Sequence, residues 1–201
     1  MPDSSHEPLI LDARVVLDAC VLFPVWSCDL LLTAQEVGII QSVIASPEII
    51  DEARRNALDR YPDKAAGIAQ RFEAVSRFVE GGKEAGEPID VEDLEVINVK
   101  DRHVLETAVR HDADFIVTVD DGFHAEINEW AGEEHRDGPL RGALTTDAFV
   151  ALVAAEAPAK LAFLLRTMAA RRRHPPATAA DVLELLQSRL PALRTFDPPS
   201  A

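Results

Sequence analysis

The sequence predicts an α/β domain, a three-layer α/β/α stack on a central, mainly parallel sheet, followed by a helical extension. Three observations carry this. Residues 14–17 form an apolar run that ends abruptly in Asp18, and residues 113–119 form a stronger one that ends in Asp120. Between and after them lie segments with apolar residues at helical spacing, so strand and helix alternate, the pattern of a parallel sheet with crossover helices. Runs apolar on both faces suit strands covered on both sides.

Taken in order, residues 1–11 are polar and read as a loosely held tail. The first strand gives way to a helix over 24–37, with Trp26, Leu30, Leu31, Ala34 and Val37 on one face and Gly38 closing it. Residues 39–45 are a second, short strand. Ser46-Pro47 then opens a helix, serine as cap and proline in the first turn. Its inner face is Ile49, Ile50, Ala53 and Leu58; Glu48, Asp51, Glu52, Arg54 and Arg55 lie opposite. Tyr61-Pro62-Asp63 breaks the chain before a helix over 65–79, and the glycine-rich stretch 81–88 reads as a loop.

Residues 94–99 are a modest strand candidate, and Asp101 opens a helix with Val104, Leu105, Ala108 and Val109 inward. After the strand ending in Asp120, residues 122–138 are acidic and glycine-flanked, and one helical turn around 123–130 is expected there. Residues 140–144 supply an edge strand. From Thr146, read as a cap, the pattern is helical: a segment to 155, a longer one over 158–173, and another over 178–190 beyond Pro175-Pro176. Domain limits of 12–145 for the α/β unit and 146–194 for the extension follow, with a frayed tail over 195–201.

Composition narrows the function. The chain of 201 residues is 47% hydrophobic, enough for one well-cored domain. Its apolar stretches are short and interrupted by charge, so no membrane span and a cytoplasmic location are expected. Cys20 and Cys28 lack metal-type spacing and read as reduced core residues; a Cys20–His103 nucleophile pair lacks an orienting third group. The net charge of −15 argues against a general nucleic-acid coat, but not against an enzyme that meets nucleic acid through metal ions and a local basic patch.

Parallel sheets present their functional groups at the carboxyl ends of their strands. Asp18 and Asp120 stand at two such ends and Asp101 at a helix start; a helix crossing that edge adds Glu52. Carboxylates brought together this way need protonation or a cation to relieve their repulsion, and oxygen-only donors favour hard ions such as Mg²⁺ or Mn²⁺. Each acid also has a structural alternative: Asp18 and Asp101 as helix caps, Glu52 as one of several solvated acids, and Asp120 in competition with Asp121.

The segments Val16-Leu17-Asp18-Ala19-Cys20-Val21-Leu22, Ser46-Pro47-Glu48-Ile49-Ile50-Asp51-Glu52, Lys100-Asp101-Arg102-His103-Val104-Leu105-Glu106-Thr107-Ala108 and Ile116-Val117-Thr118-Val119-Asp120-Asp121-Gly122-Phe123, in this order, resemble the PIN-domain ribonucleases, the fold of VapC-type toxins of bacterial toxin–antitoxin pairs. The resemblance covers roughly 14–144. It implies that Asp18, Glu52, Asp101 and Asp120 form the acidic site of a Mg²⁺- or Mn²⁺-dependent ribonuclease. Asp18 and Asp101 would hold the main cation, with Glu52 and Asp120 completing the shell. Thr118 matches the family's small hydroxyl residue and Phe123 its aromatic.

Three departures stand out. Cys20 replaces a frequent Asn, so a hydrogen bond near the metal is expected to be missing. Asp120 stands where Asn is frequent, and Asn98 where an Asp is frequent. Candidate substrate contacts are Thr118, Arg54 and Arg55; the run Arg171-Arg172-Arg173-His174 is a further phosphate candidate, or a helix end favoured by its dipole. Expected partners are RNA and a cognate antitoxin. The helices after Thr146 suit packing on the domain, a homodimer, or an antitoxin helix. A silent PIN-like module that binds RNA or protein is the competing function. An aspartyl phosphatase would want an acid at position 20, which is Cys.

Overall fold

The computed structural model describes residues 10–81, 98–132, 138–172 and 177–198. The chain order is β1 (Arg14–Leu17), α1 (Ala19–Leu22), α2 (Val25–Glu36), β2 (Ser42–Ile44), α3 (Pro47–Arg60), α4 (Ala65–Phe78), α5 (Arg102–Arg110), β3 (Phe115–Val117), α6 (Asp121–Ala131), β4 (Gly142–Leu144), α7 (Thr146–Glu156), α8 (Pro158–Arg171) and α9 (Ala179–Gln187). Single 3₁₀ turns lie at Pro62–Lys64 and Pro191–Thr195.

The sheet is four-stranded, all parallel, in the order β2-β1-β3-β4. Val15, Val16, Leu17, Ile116 and Val117 are fully buried. Consecutive side chains of a strand point to opposite faces, so burial of every one requires cover on both, and the helices provide it. This is the α/β architecture expected, with β1 and β3 at the centre and their C-terminal ends at one edge.

The register fixes that edge. Leu17 pairs with Val117, and Asp18 N–H then donates to Val117 O at 3.0 Å. The acid therefore leaves β1 level with Thr118 of the neighbouring strand.

Local chemistry explains the helix starts. Ser46 caps α3, its hydroxyl accepting from Ile49 N–H, with Pro47 first in the helix. Thr178 and Asp181 form a reciprocal capping box at α9. At α7 the cap is Thr145, not Thr146, whose side chain is buried.

One element is additional and one further expectation is corrected. Residues 19–22 wind into the short α1 directly after Asp18, although their unbroken apolar run carries no helical signature. Residues 121–131 form an eleven-residue helix rather than one turn. Phe123, Ile127 and Trp130 are its buried face, and its acids sit on the other side. Asn128 ties this helix to the edge strand: its Oδ1 accepts from Ala143 N–H at 2.9 Å and its Nδ2 donates to Ala143 O at 3.4 Å.

The helices after β4 pack on the domain. Phe149, Val150, Leu161, Leu164, Leu165, Val182 and Leu186 belong to the same continuous core as the sheet. Arg171 at the end of α8 donates to Thr33 Oγ1 at 3.0 Å and pairs with Asp29 and Glu36, all on α2. That part of the basic run is thus an interhelical clamp. Arg173 and His174, residues 82–88 of the expected loop over 81–88 and residues 94–97 of the strand candidate over 94–99 lie outside the described residues, and residues 98–99 are not strand. Among the described residues, no helix is long and apolar enough to cross a membrane.

Candidate active site

At the C-terminal edge of the sheet a cleft of about 540 Å³ opens, and Asp18, Glu52, Asp101 and Asp120 all line it. Each arrives from a different element: the end of β1, the exposed side of α3, the start of α5, and the segment joining β3 to α6.

Asp18 is the most firmly held. Its Oδ2 accepts from Thr118 Oγ1 at 2.7 Å and from the Cys20 thiol at 2.9 Å, and its side chain makes no cap on α1. Thr118 is fully buried, and its hydroxyl also accepts from Asp120 N–H at 3.1 Å. It has no surface for a substrate; it is a strut that ties the two strand-end acids together. The hydrogen bond expected to be missing at position 20 is supplied by sulfur. Burial, then the charge and hydrogen bond of Asp18, push the Cys20 thiol up to about 12, so it stays protonated, a donor and not a nucleophile.

Asp120 divides its carboxylate. Oδ1 caps α6 by accepting from Phe123 N–H at 3.0 Å, and Oδ2 faces the cleft. The Phe123 hydrogen bond, helped by the charge of Lys100, holds its carboxyl below the usual carboxylate range. Asp121 is exposed and is not part of the cleft lining, which resolves the competition between the two.

Asp101 makes no side-chain cap on α5, so its carboxylate is free to serve the cleft. Its backbone is set by a turn, Asp101 N–H donating to Asn98 O at 2.8 Å. Burial pushes its carboxyl up, the charges of Asp18 and Asp120 add to this, and Lys100 opposes it. Glu52 lies 3.4 Å from His103 Nε2, a buried atom that lacks hydrogen-bond geometry to any partner among the described residues.

Of the candidate substrate arginines, Arg55 lines the cleft; Arg54 is turned about 100° away on the helix and pairs instead with Asp51 at 2.8 Å. Sequence reasoning passed over Glu48, Asn56 and, above all, Lys100. The Lys100 ammonium stands 3.5 Å from Asp101 and 3.7 Å from Asp120. Its signal was its place immediately before the third acid.

The donor set is chemically suited to a hard divalent ion: carboxylates from four elements, with the Lys100 ammonium near two of them. Among the described residues, no three Asp, Glu, His or Cys side chains are gathered to ligand distance as they stand.

The domain is thus a parallel α/β sheet that collects four carboxylates at the C-terminal edge of its strands. The chain belongs to the PIN-domain family: the sequence model of the PIN domain matches residues 8–122. PIN domains are generally nucleases. No curated protein and no solved structure matches the chain.

Proposed function

We propose that the protein is a metal-dependent endoribonuclease that hydrolyses RNA phosphodiester bonds, and that it is the VapC-type toxin of a toxin–antitoxin pair. The observation that carries the catalytic part is the convergence of Asp18, Glu52, Asp101 and Asp120 on one cleft. Partly exposed carboxylates gathered on one cleft repel one another unless something positive binds among them.

Asp18 and Asp101 are the residues that would hold Mg²⁺ or Mn²⁺, with Glu52 and Asp120 Oδ2 beside them. With the ion bound, the site gains an activated water and neutralises charge building on the phosphate. The chain's own residues do the rest. Thr118 and Cys20 fix the rotamer of Asp18, and the cap on α6 fixes Asp120. Arg55 and Lys100, at the cleft, meet phosphate oxygens. The toxin role rests on the resemblance of the four ordered segments and on the net charge of −15, which suits a basic antitoxin segment.

The test is cleavage of a mixed RNA pool by purified protein with Mg²⁺ or Mn²⁺, with chelator, and with Asp101→Asn in parallel. Cutting that requires the ion and is lost in the variant supports the nuclease. A folded protein that cuts none of the pool sinks it. A second reading, a silent PIN-like binding module, is favoured by one observation: Lys100 already neutralises part of the acidic site.

A further inference from the structure

We infer that a second groove, next to the acidic cleft, binds single-stranded RNA flanking the scissile bond, with aromatic rings for its bases and exposed cations for its phosphates. The inference rests on the ribonuclease reading and adds to it a binding surface outside the acidic cleft.

The groove has a volume of about 530 Å³ and is walled by Phe23, Trp26 and Tyr61, with Lys64, Arg71 and Arg189 around them. The rings of Phe23 and Tyr61 lie 19° from parallel with centroids 6.4 Å apart. Lys64 Nζ stands 5.3 Å from the Tyr61 centroid, and the Arg189 guanidinium 5.6 Å from that of Trp26. In a chain with 35 acidic and 20 basic residues, no carboxylate lines this groove among the described residues. Lys64 and Arg189 are exposed, and neither forms an ion pair among the described residues. Arg71 is spent differently: it donates to Phe23 O at 2.9 Å and so holds the turn that presents the Phe23 ring.

The groove and the cleft are lined from the same two elements. Cys20 lines the cleft and Phe23, three residues on, lines the groove; on α3, Asn56 faces one and Ala57 the other. A strand leaving the acids along α1 therefore reaches the first ring after roughly one helical turn. Arg189 comes from beyond α9, outside the residues that match the PIN domain, so the C-terminal helices have a role in seating it.

Rings with cations beside them are the recurring equipment for unpaired strands, because every base offers a π-face and every linkage a charge. A duplex keeps its base faces stacked inside and offers the groove only phosphates. An apolar peptide helix would use the rings and leave Lys64 and Arg189 without partners.

The test measures binding in chelator, where no cutting occurs, by fluorescence anisotropy of a labelled single-stranded RNA of about ten nucleotides. Tyr61→Ala is expected to lower affinity by at least about fivefold, and Tyr61→Phe to keep it. The double variant Lys64→Gln/Arg189→Gln is expected to flatten the dependence of log K on log salt by about 1.4, two contacts at about 0.7 each. The same oligonucleotide in a duplex should bind the parent more weakly. Both charge positions are at the surface, and circular dichroism checks the fold. Absence of binding by the parent, or parent-like binding by the variants, overturns the inference; the latter leaves the groove to a protein partner. Groove-dependent binding without any metal-dependent cutting would sustain the groove and sink the nuclease, so the two fail separately.

Discussion

Lys100 and Asp120 approach to 3.7 Å across the mouth of the cleft, although they come from different helix starts, and the same ammonium lies 3.5 Å from Asp101. The protein thus carries its own monovalent cation where a divalent one would be drawn. Asp101, then Asp120, hold the ammonium above its usual range, so it and the acids are charged together throughout the neutral range.

Replacing that cation should unmask the acids. Lys100→Met is expected to melt at a lower temperature than the parent in chelator, because the carboxylates then repel without relief. With Mn²⁺ added, the order should narrow or reverse, since the variant gains more from the ion. Thermal melts across a Mn²⁺ titration check this; an equal Mn²⁺ response in both proteins would show that Lys100 does not compete for the site.

Thr118→Val keeps the shape of the buried side chain and removes the hydroxyl shared by Asp18 and Asp120. Loss of such a supporting hydrogen bond is expected to lower metal affinity and cleavage about 10- to 100-fold and stability by about 1–3 kcal/mol. Thr118→Ser should recover most of the activity. Single-turnover cleavage and urea unfolding separate the two effects.

Asp120 has a structural oxygen and a chemical one, and substitutions can divide them. Asn caps a helix about as well as Asp, so Asp120→Asn should leave stability within about 0.5 kcal/mol while weakening cation binding. Asp120→Ala should lose the cap as well, about 1 kcal/mol. Isothermal calorimetry with Mn²⁺ beside denaturant unfolding distinguishes the pair.

Gly142 admits no side chain. Its φ is +140°, and a Cβ there would lie 2.3 Å from Asn128 Oδ1, the acceptor that joins α6 to β4. Gly142→Ala should therefore cost about 2 kcal/mol or more, combining backbone strain with a broken clasp. Hydrogen exchange should show the Ala143 amide losing protection first.

Acid should act through Glu80. Burial raises its carboxyl, but the Arg14 guanidinium, hydrogen-bonded at 2.7 Å, outweighs this and leaves it below the usual carboxylate range. A depressed acid stabilises the fold above its unfolded value, about 4.3, and loses that contribution as the pH falls through its folded value. Glu80→Gln should then be less stable than the parent near neutral pH, by under about 1 kcal/mol because the pair is solvent-screened. The two should converge in strong acid. A gap that widens toward low pH would reverse the assignment.

What could be read from the residues alone was the part in which one signal meant one thing. Apolar runs that stop at Asp18 and Asp120 located two strands and two acids together, since burial excludes a carboxylate from the run itself. Ser46-Pro47 fixed the start of α3. The segment after Asp120 was harder, because its glycine and acids masked three buried residues at positions i, i+4 and i+7. Lys100 was hidden by chemistry: a lysine beside an aspartate is ordinary on a surface, and only the fold turns it toward a second acid. Cys20 misled in another way, since a thiol is a weak donor that seldom replaces an amide. Arg54 and Arg55 could not be told apart without the helix's rotation.

The pairing of Leu17 with Val117 means that the site is measured by counting. Asp18 and Thr118 meet because each is the next residue after that pair, and side chains of a strand alternate strictly between its faces. One residue inserted between Phe115 and Thr118 would present a neighbour of opposite orientation to Asp18, while an insertion in a loop leaves the count intact. Sequence length is therefore exact over these two short strands, where a single residue separates a site from an ordinary sheet edge.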